Sequence, residues 1–493
     1  MAFTPFPDWK PDLADFESDG GTEALNVIPC ASGYKPFPGL SSVTAALGTA
    51  CRGAISIRSS AGITYNFAGT ATKLYKMDSG GLTWSDISRT VGGAYSGTVD
   101  SWWHFAAFGD YLVATNGVDV PQVFQMGVST NFAALGGSPP VSTFSCAIRD
   151  FHVLGRITNA YNRVKWSAYN NVADWTISAT TLSDQQDLPD GGQVMGMVGG
   201  EYGVIFQERA ISRMSFEGPP TAFRFDKISN TLGCRIERSI AAFENMIFFA
   251  ADNGFHMVTA GSQITPIGLE RVDRWFEDNF DASYAANCSA AIDPIAKLYV
   301  LSFPTRDSSN GTADAVLMYN WAIGKWSHAH VSAEVIYPAA NVSDWTIDGL
   351  DTLSSTIDGL VYPFDSRFYA GTGRLLLAGF TTAHKQGVFD SSYLAASLET
   401  GDVQLTEGRK SLLRGLRPIV EGTSVTPAVT VKYRDRMQDA MSAASPVNAN
   451  AYGFCPTRVT ARYHRARVDI PAGSTWDFAT GIDDLNFVPM GRR

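Results

Sequence analysis

The sequence predicts an all-β fold: an irregular β-propeller with an extended N-terminal arm and a C-terminal antiparallel β-sandwich-like domain. A short apolar strand, often preceded by a polar turn, recurs at residues 63–67, 110–115, 151–154, 202–206, 245–249 and 297–301. Its steps are 49 residues from Ile63 to Leu112, 41 to Val153, 51 to Val204, 43 to Ile247 and 52 to Tyr299. Steps of that size suit a blade of about four short strands. Helix-length apolar periodicity is nearly absent between the copies, and turn dipeptides punctuate them: Gly109-Asp110, Asn116-Gly117, Asn253-Gly254 and Asn310-Gly311.

Composition fits many strands joined by tight turns. Charged residues are 17% of the 493 while glycines number 46 and aromatics reach 12%, leaving broad neutral surfaces for packing against other subunits. A net charge of −10 argues against a protein that grips nucleic acid through its overall charge. The six cysteines are widely spaced with no Cys-x-x-Cys pair, so they read as reduced core residues rather than a zinc ribbon or disulfide framework. No secretory leader and no apolar run of membrane-spanning length is legible, which places the chain in a cytosol or in an assembly built there.

Taken in order, residues 1–42 form the arm. Six prolines, from Pro5 to Pro38, exclude a continuous helix. Within the arm's first thirty residues Asp8, Asp12, Asp15, Glu17, Asp19 and Glu23 accompany a single Lys10, and Phe6, Trp9 and Phe16 supply apolar anchors for a partner or for the chain's own core. Residues 43–335 carry the blades. Within them, Leu269, Val272, Trp275, Phe276 and Phe280 have helical spacing and predict a capping helix over 269–280. Residues 336–362 hold the near-duplicates Thr346-Ile-Asp348-Gly349-Leu and Thr356-Ile-Asp358-Gly359-Leu, whose Asp-Gly turns predict a loop or protruding ribbon, a candidate gate. Residues 363–493 form the C-terminal β-rich domain, which could also complete the propeller. The blade number stays open, because the next strand-like position, Leu376, lies 77 residues beyond Tyr299.

Few residues point to chemistry. Asp78-Ser-Gly80-Gly-Leu-Thr83-Trp84 resembles the Asp-box of sialidase-type propellers, without its leading Ser and with one extra residue before the Thr. That box shapes a hairpin and plugs a blade; it is not catalytic. Trp175, Trp321 and Trp326 read as similar plugs. His328-Ala-His330 has the two imidazoles on one strand face but lacks a neighbouring ligand in sequence, and the glycine-rich run 191–200 lacks the Lys-Ser/Thr of a phosphate loop. No catalytic pair, metal site or cofactor is expected. The densest basic stretch contains Arg458, Arg462, Arg465 and Arg467; in so acidic a chain it is expected to pair with the acidic arm of a neighbouring copy rather than with a nucleic-acid backbone.

Three stretches resemble the tail hub proteins of short-tailed bacteriophages, also called nozzle or packaged-DNA stabilisation proteins. They are Asn26-Val-Ile-Pro29 with Gly33-Tyr-Lys-Pro-Phe-Pro38-Gly39; Leu232-Gly-Cys with Met246-Ile-Phe-Phe-Ala-Ala-Asp-Asn-Gly254-Phe; and Arg462-Tyr-His-Arg-Ala-Arg with Ile470-Pro-Ala-Gly473, Trp476, Gly481-Ile-Asp and Gly491-Arg-Arg. The resemblance implies a propeller subunit in a hexameric ring of a virion tail, assembled in the host cytoplasm. Its partners would be the adaptor and portal proteins and a tail needle or fibres, and double-stranded DNA would pass non-specifically. It implies no catalytic residue and no membrane partner. The alternative from composition and fold alone is a propeller that degrades or binds polysaccharide, which would need a carboxylate-lined pocket on one face.

Overall fold

The computed structural model describes residues 4–16, 19–78, 82–341, 350–351, 354–360 and 375–491. It is an all-β protein in which a propeller of seven four-stranded blades is fused to a two-sheet sandwich.

Each of blades 1 to 5 is one continuous antiparallel meander. They occupy Ala54–Arg58 to Trp84–Asp86, His104–Phe108 to Ala133–Ala134, Ser142–Ile148 to Asp184–Asp187, Val194–Val198 to Ala222–Ser229, and Ala241–Phe243 to Gln263–Pro266. Blade 6 runs from Ser289–Asp293 to Lys325–Ala333. The recurring apolar strand is the second strand of each of these six blades: Thr64–Gly69, Tyr111–Thr115, Phe151–Ile157, Gly203–Gln207, Met246–Ala251 and Leu298–Phe303. Nearly all of its residues are buried, as expected of a strand covered on both faces by neighbouring blades. Tight turns close the meanders. Gly254 sits at φ +113°, and a Cβ there would stand 2.1 Å from Asp273 Oδ2, so only glycine fits.

Blade 7 differs in origin. Val335–Ala340 pairs with Leu375–Phe380, which pairs with Lys385–Tyr393, and the outer strand is Pro38–Ala46 from the N-terminal region (Phe389 opposite Leu40). Two expected boundaries therefore move. Residues 336–340 are blade rather than ribbon, and 375–380, expected in the C-terminal domain, is the second strand of blade 7. The arm ends as a blade strand. Side chains then close the ring: Glu334 accepts from the Cys51 N–H at 2.8 Å, Asn66 Nδ2 donates to the Ala340 carbonyl at 3.0 Å, and Trp84 Nε1 donates to Thr44 Oγ1 at 3.2 Å.

The sandwich joins distant parts of the chain. One sheet orders Cys455–Ala461, Ser411–Ser424, Thr475–Pro489, Gly33–Pro36 and Val27–Cys30, with Thr4–Pro5 also on Thr475–Pro489. The other continues blade 6: Lys325–Ala333 pairs in parallel with Glu23–Leu25, followed by Ala396–Glu399, Tyr463–Ile470 and Ala428–Arg434. Alternate inward residues such as Val429 and Val431, or Val468 and Ile470, share a single core with Phe255, Tyr299 and Trp326 of blades 5 and 6. The expected helix is shorter, Asp273–Asn279, because Glu270 adopts φ 55° and breaks it. Its first turn is capped from the arm, with both Asp12 carboxylate oxygens accepting from the Arg274 and Trp275 N–H groups at 2.8 Å. No described helix is long and apolar enough to cross a membrane.

Candidate functional site: the arm and sandwich junction

The acidic arm and the basic strand meet within the one chain. Asp15 reaches Arg434 Nη2 at 2.9 Å and Arg465 Nη2 at 3.2 Å. Behind it, Asp402 accepts from Arg434 Nε and Arg465 Nε, each at 2.8 Å, while Glu399 accepts from Arg465 Nη1 at 3.2 Å and Lys432 Nζ at 2.6 Å. Arg467 turns to Asp469 at 2.8 Å. Burial pulls the Arg465 pKa down, but the surrounding Asp402, Asp15 and Glu399 charges outweigh it and hold the group above its usual value. Alternation builds this face: Lys432 and Arg434 sit two apart on one strand, Arg465 and Arg467 two apart on the next, so all four project from one side.

Among the expected partner contacts, Phe6 and Trp9 are corrected outright. They are 5% and 1% exposed and form part of the chain's own core. Trp9 stacks on His328 at 4.7 Å and meets Trp275 edge-on at 4.8 Å. Phe16 is half-buried against Tyr463 at 5.3 Å. Arg465 meets Asp15, so the acidic arm it engages is its own chain's rather than a neighbour's, while Arg467 pairs with Asp469 outside the arm. The Arg462 backbone N–H donates to Asp435 at 3.3 Å, and its Nε is buried without a partner among the described residues. Arg458 is exposed and forms no ion pair among the described residues. Asp358 and Gly359 lie in an exposed one-turn helix, Ile357–Gly359, while Asp348 and Gly349 lie outside the described residues.

Sequence reasoning missed Arg434, Glu399 and Asp402. The charged i, i+2 pairs on otherwise apolar strands were the available signal. It also left His328 without a carboxylate; folding brings Glu23 to its Nε2. No group of three or more His, Cys, Asp or Glu side chains able to hold a metal occurs among the described residues. The Asp-box-like hairpin forms, with Asp78 accepting from Thr83 Oγ1 and Ser85 Oγ at 2.6 Å each, and its Trp84 packs on Phe380 of blade 7.

Together these features define an all-β propeller and sandwich protein. No family model and no curated protein matches the chain. Among solved structures it is similar to BamB from Moraxella catarrhalis, at 8% identity and a TM-score of 0.35 over 79% of this chain and 98% of that one. A chain of the Mitotic Checkpoint Complex is 9% identical with a TM-score of 0.42, covering 74% of this chain and 98% of that one. YCF48 bound to D1 peptide is 10% identical with a TM-score of 0.36, over 61% and 87%. Likenesses this slight carry no argument; the fold rests on the chain's own strand pairing.

Proposed function

We propose that the chain is a structural subunit of a short-tailed phage tail: a tail hub or nozzle that closes the channel below the portal and adaptor, retains packaged DNA and lets it pass on ejection. The observation that carries this reading is the meeting of the three family-like stretches in one core. Val27 and Tyr34 from the first, Phe248 and Phe255 from the second, and Ile470, Trp476 and Ile482 from the third pack in the same cluster. Residues more than 400 positions apart in sequence thus belong to one structural unit, the junction of sandwich and propeller.

Physical features support the role. An acidic chain presents a wall along which DNA can slide, since duplex held by lysines and arginines releases slowly. A propeller welded to a sandwich by a shared sheet is a rigid building block for a ring, and a heterologous interface between such blocks closes into a cyclic oligomer. The cavity on the propeller axis, about 250 Å³, is below the size of an ordinary drug-sized pocket, so DNA would pass between subunits rather than through a propeller. Among the described residues its lining has one carboxylate, Glu237, paired with Arg156, so the propeller axis offers no carboxylate pair of the kind glycan cleavage uses.

Light scattering on the purified protein, alone and mixed with a portal and adaptor assembly, tests the proposal. The expected result is a particle near six times 53.2 kDa, or recruitment of about six copies onto the assembly. A monomer indifferent to that assembly overturns it.

A further inference from the structure

The innermost strands of six blades and the connection into blade 5 surround the axial cavity, and its lining includes the Arg238 Nη groups and His104 Nε2, which have no acceptor among the described residues. Trp102, 7% exposed, and Tyr337, 3%, wall the cavity, and their Nε1–H and hydroxyl are buried within that wall, out of reach of a ligand. His104 accepts from the Ser145 N–H through Nδ1 at 3.4 Å, so the neutral ring carries its proton on Nε2, which makes no hydrogen bond among the described residues. Burial, with Arg238 adding to it, depresses the His104 pKa to about 4 and keeps that ring neutral.

Arg238 supplies the charge. Its Nε donates to the Cys288 carbonyl at 2.9 Å, its guanidinium lies 3.7 Å from the Trp102 ring centroid, and it forms no ion pair among the described residues. Burial lowers its pKa to about 10, which leaves it cationic at neutral pH. Arg52 approaches the same indole at 4.8 Å. Of the nearby acids, Glu237 is held by Arg156, and Glu334 is held by the Cys51 N–H and His384. A part-buried cation and a neutral imidazole donor that share one cavity without acceptors match an anionic ligand.

The geometry points to a binding site for a compact organic carboxylate on the propeller axis, gripped by Arg238 with His104 as a further donor. The planar guanidinium fork fits a carboxylate in bidentate fashion. Phe144, Met197 and Ile240 give the rest of the lining an apolar character, which suits the body of a small organic acid and would desolvate a phosphate dianion against a single lining cation. The cavity volume restricts the ligand to one small molecule. This site is independent of whether the chain builds a phage tail.

Isothermal titration of the full chain with benzoate, benzyl alcohol and inorganic phosphate tests it. Benzoate is expected to bind, with benzyl alcohol about tenfold or more weaker because it lacks the charge. Arg238→Met, checked for retained circular dichroism and melting temperature, is expected to weaken benzoate by a similar factor. Should that variant not fold, His104→Phe removes the Nε2–H donor and should weaken benzoate several-fold on its own. Absence of benzoate binding, equal binding of the alcohol, phosphate binding in its place, or undiminished binding in a folded Arg238→Met protein overturns the assignment.

Discussion

Blades 1 to 5 and the sandwich are held together over very different distances along the chain. Blade 5 closes within residues 241–266, whereas the sandwich pairs Thr4 with Ile482 and Leu25 with Ser397. A meander repays its ordering entropy hairpin by hairpin, while the sandwich must close long loops before any strand contact rewards it. Their interiors differ as well. The blades pack aromatic and aliphatic side chains, for example Phe67 on Phe124 at 5.3 Å and Phe206 on Phe249 at 5.0 Å. Beside the sandwich core, a charged network ties the arm down. The difference teaches that the propeller is specified locally, and that the arm is the fastener for everything nonlocal.

The sharpest way to break that comparison is Trp9→Ala. Loss of a 1% exposed indole between Trp275 and His328 should cost about 3–5 kcal/mol. Urea unfolding followed by hydrogen exchange should show the sandwich and blade 6 opening first, with blades 1 to 4 still protected. Uniform loss of protection in one transition would mean that the two regions are a single cooperative unit.

Next is Asp402→Asn, which leaves Arg434 and Arg465 desolvated and facing each other. About 3 kcal/mol should be lost in chemical denaturation. The propeller control is Arg224→Ala, whose ion pairs with Glu217 and Asp226 are solvent-exposed and whose removal should leave the denaturation midpoint essentially unchanged. Comparable losses in both would erase the contrast.

A smaller effect, about 1 kcal/mol, is expected for Asp12→Ala, read as a lower melting temperature, because the arm then no longer caps the helix Asp273–Asn279. The smallest is a pH effect on the same helix. Burial first, with Asp12 and Glu277 adding to it, raises the Asp273 carboxyl from 3.8 to about 6. Its folded pKa lies above its unfolded one, so the stability it contributes is full at low pH and is lost as pH rises through about 6. Going from pH 7 to pH 5 should therefore add stability through this group, by under about 1 kcal/mol given its partial solvent contact. Asp273→Asn should remove that slope; an unchanged pH profile in the variant would exclude Asp273 as its source.

Much of the propeller was legible because burial between two blades leaves an unmistakable apolar run, and the six predicted runs are the second strands of blades 1 to 6. The plug residues were legible too: Trp326 is 1% exposed with its Nε1 on the Ile267 carbonyl at 2.9 Å, and Trp175 is 3% exposed. Blade 7 was not, because its second strand follows the first by a long excursion and its outer strand comes from the other end of the chain. At the junction, the arginines on Tyr463–Ile470 were visible as a basic run, but Asp402 and Glu399 looked like any other carboxylates until pairing brought their strand beside it. The donors of the axial cavity, His104 of blade 2 and Arg238 of the connection into blade 5, had no sequence signature, since each is ordinary in its own segment.

The sequence by itself determined the all-β character, the blade period, the hairpin turns and the plugs, because alternation, turn chemistry and burial of a central strand act over a few residues. Only the tertiary structure decided the number of blades, the fate of the arm and the partners of its charges. Those depend on which distant strands pair, and loop closure and desolvation of buried ions are settled between segments that carry no local mark of each other.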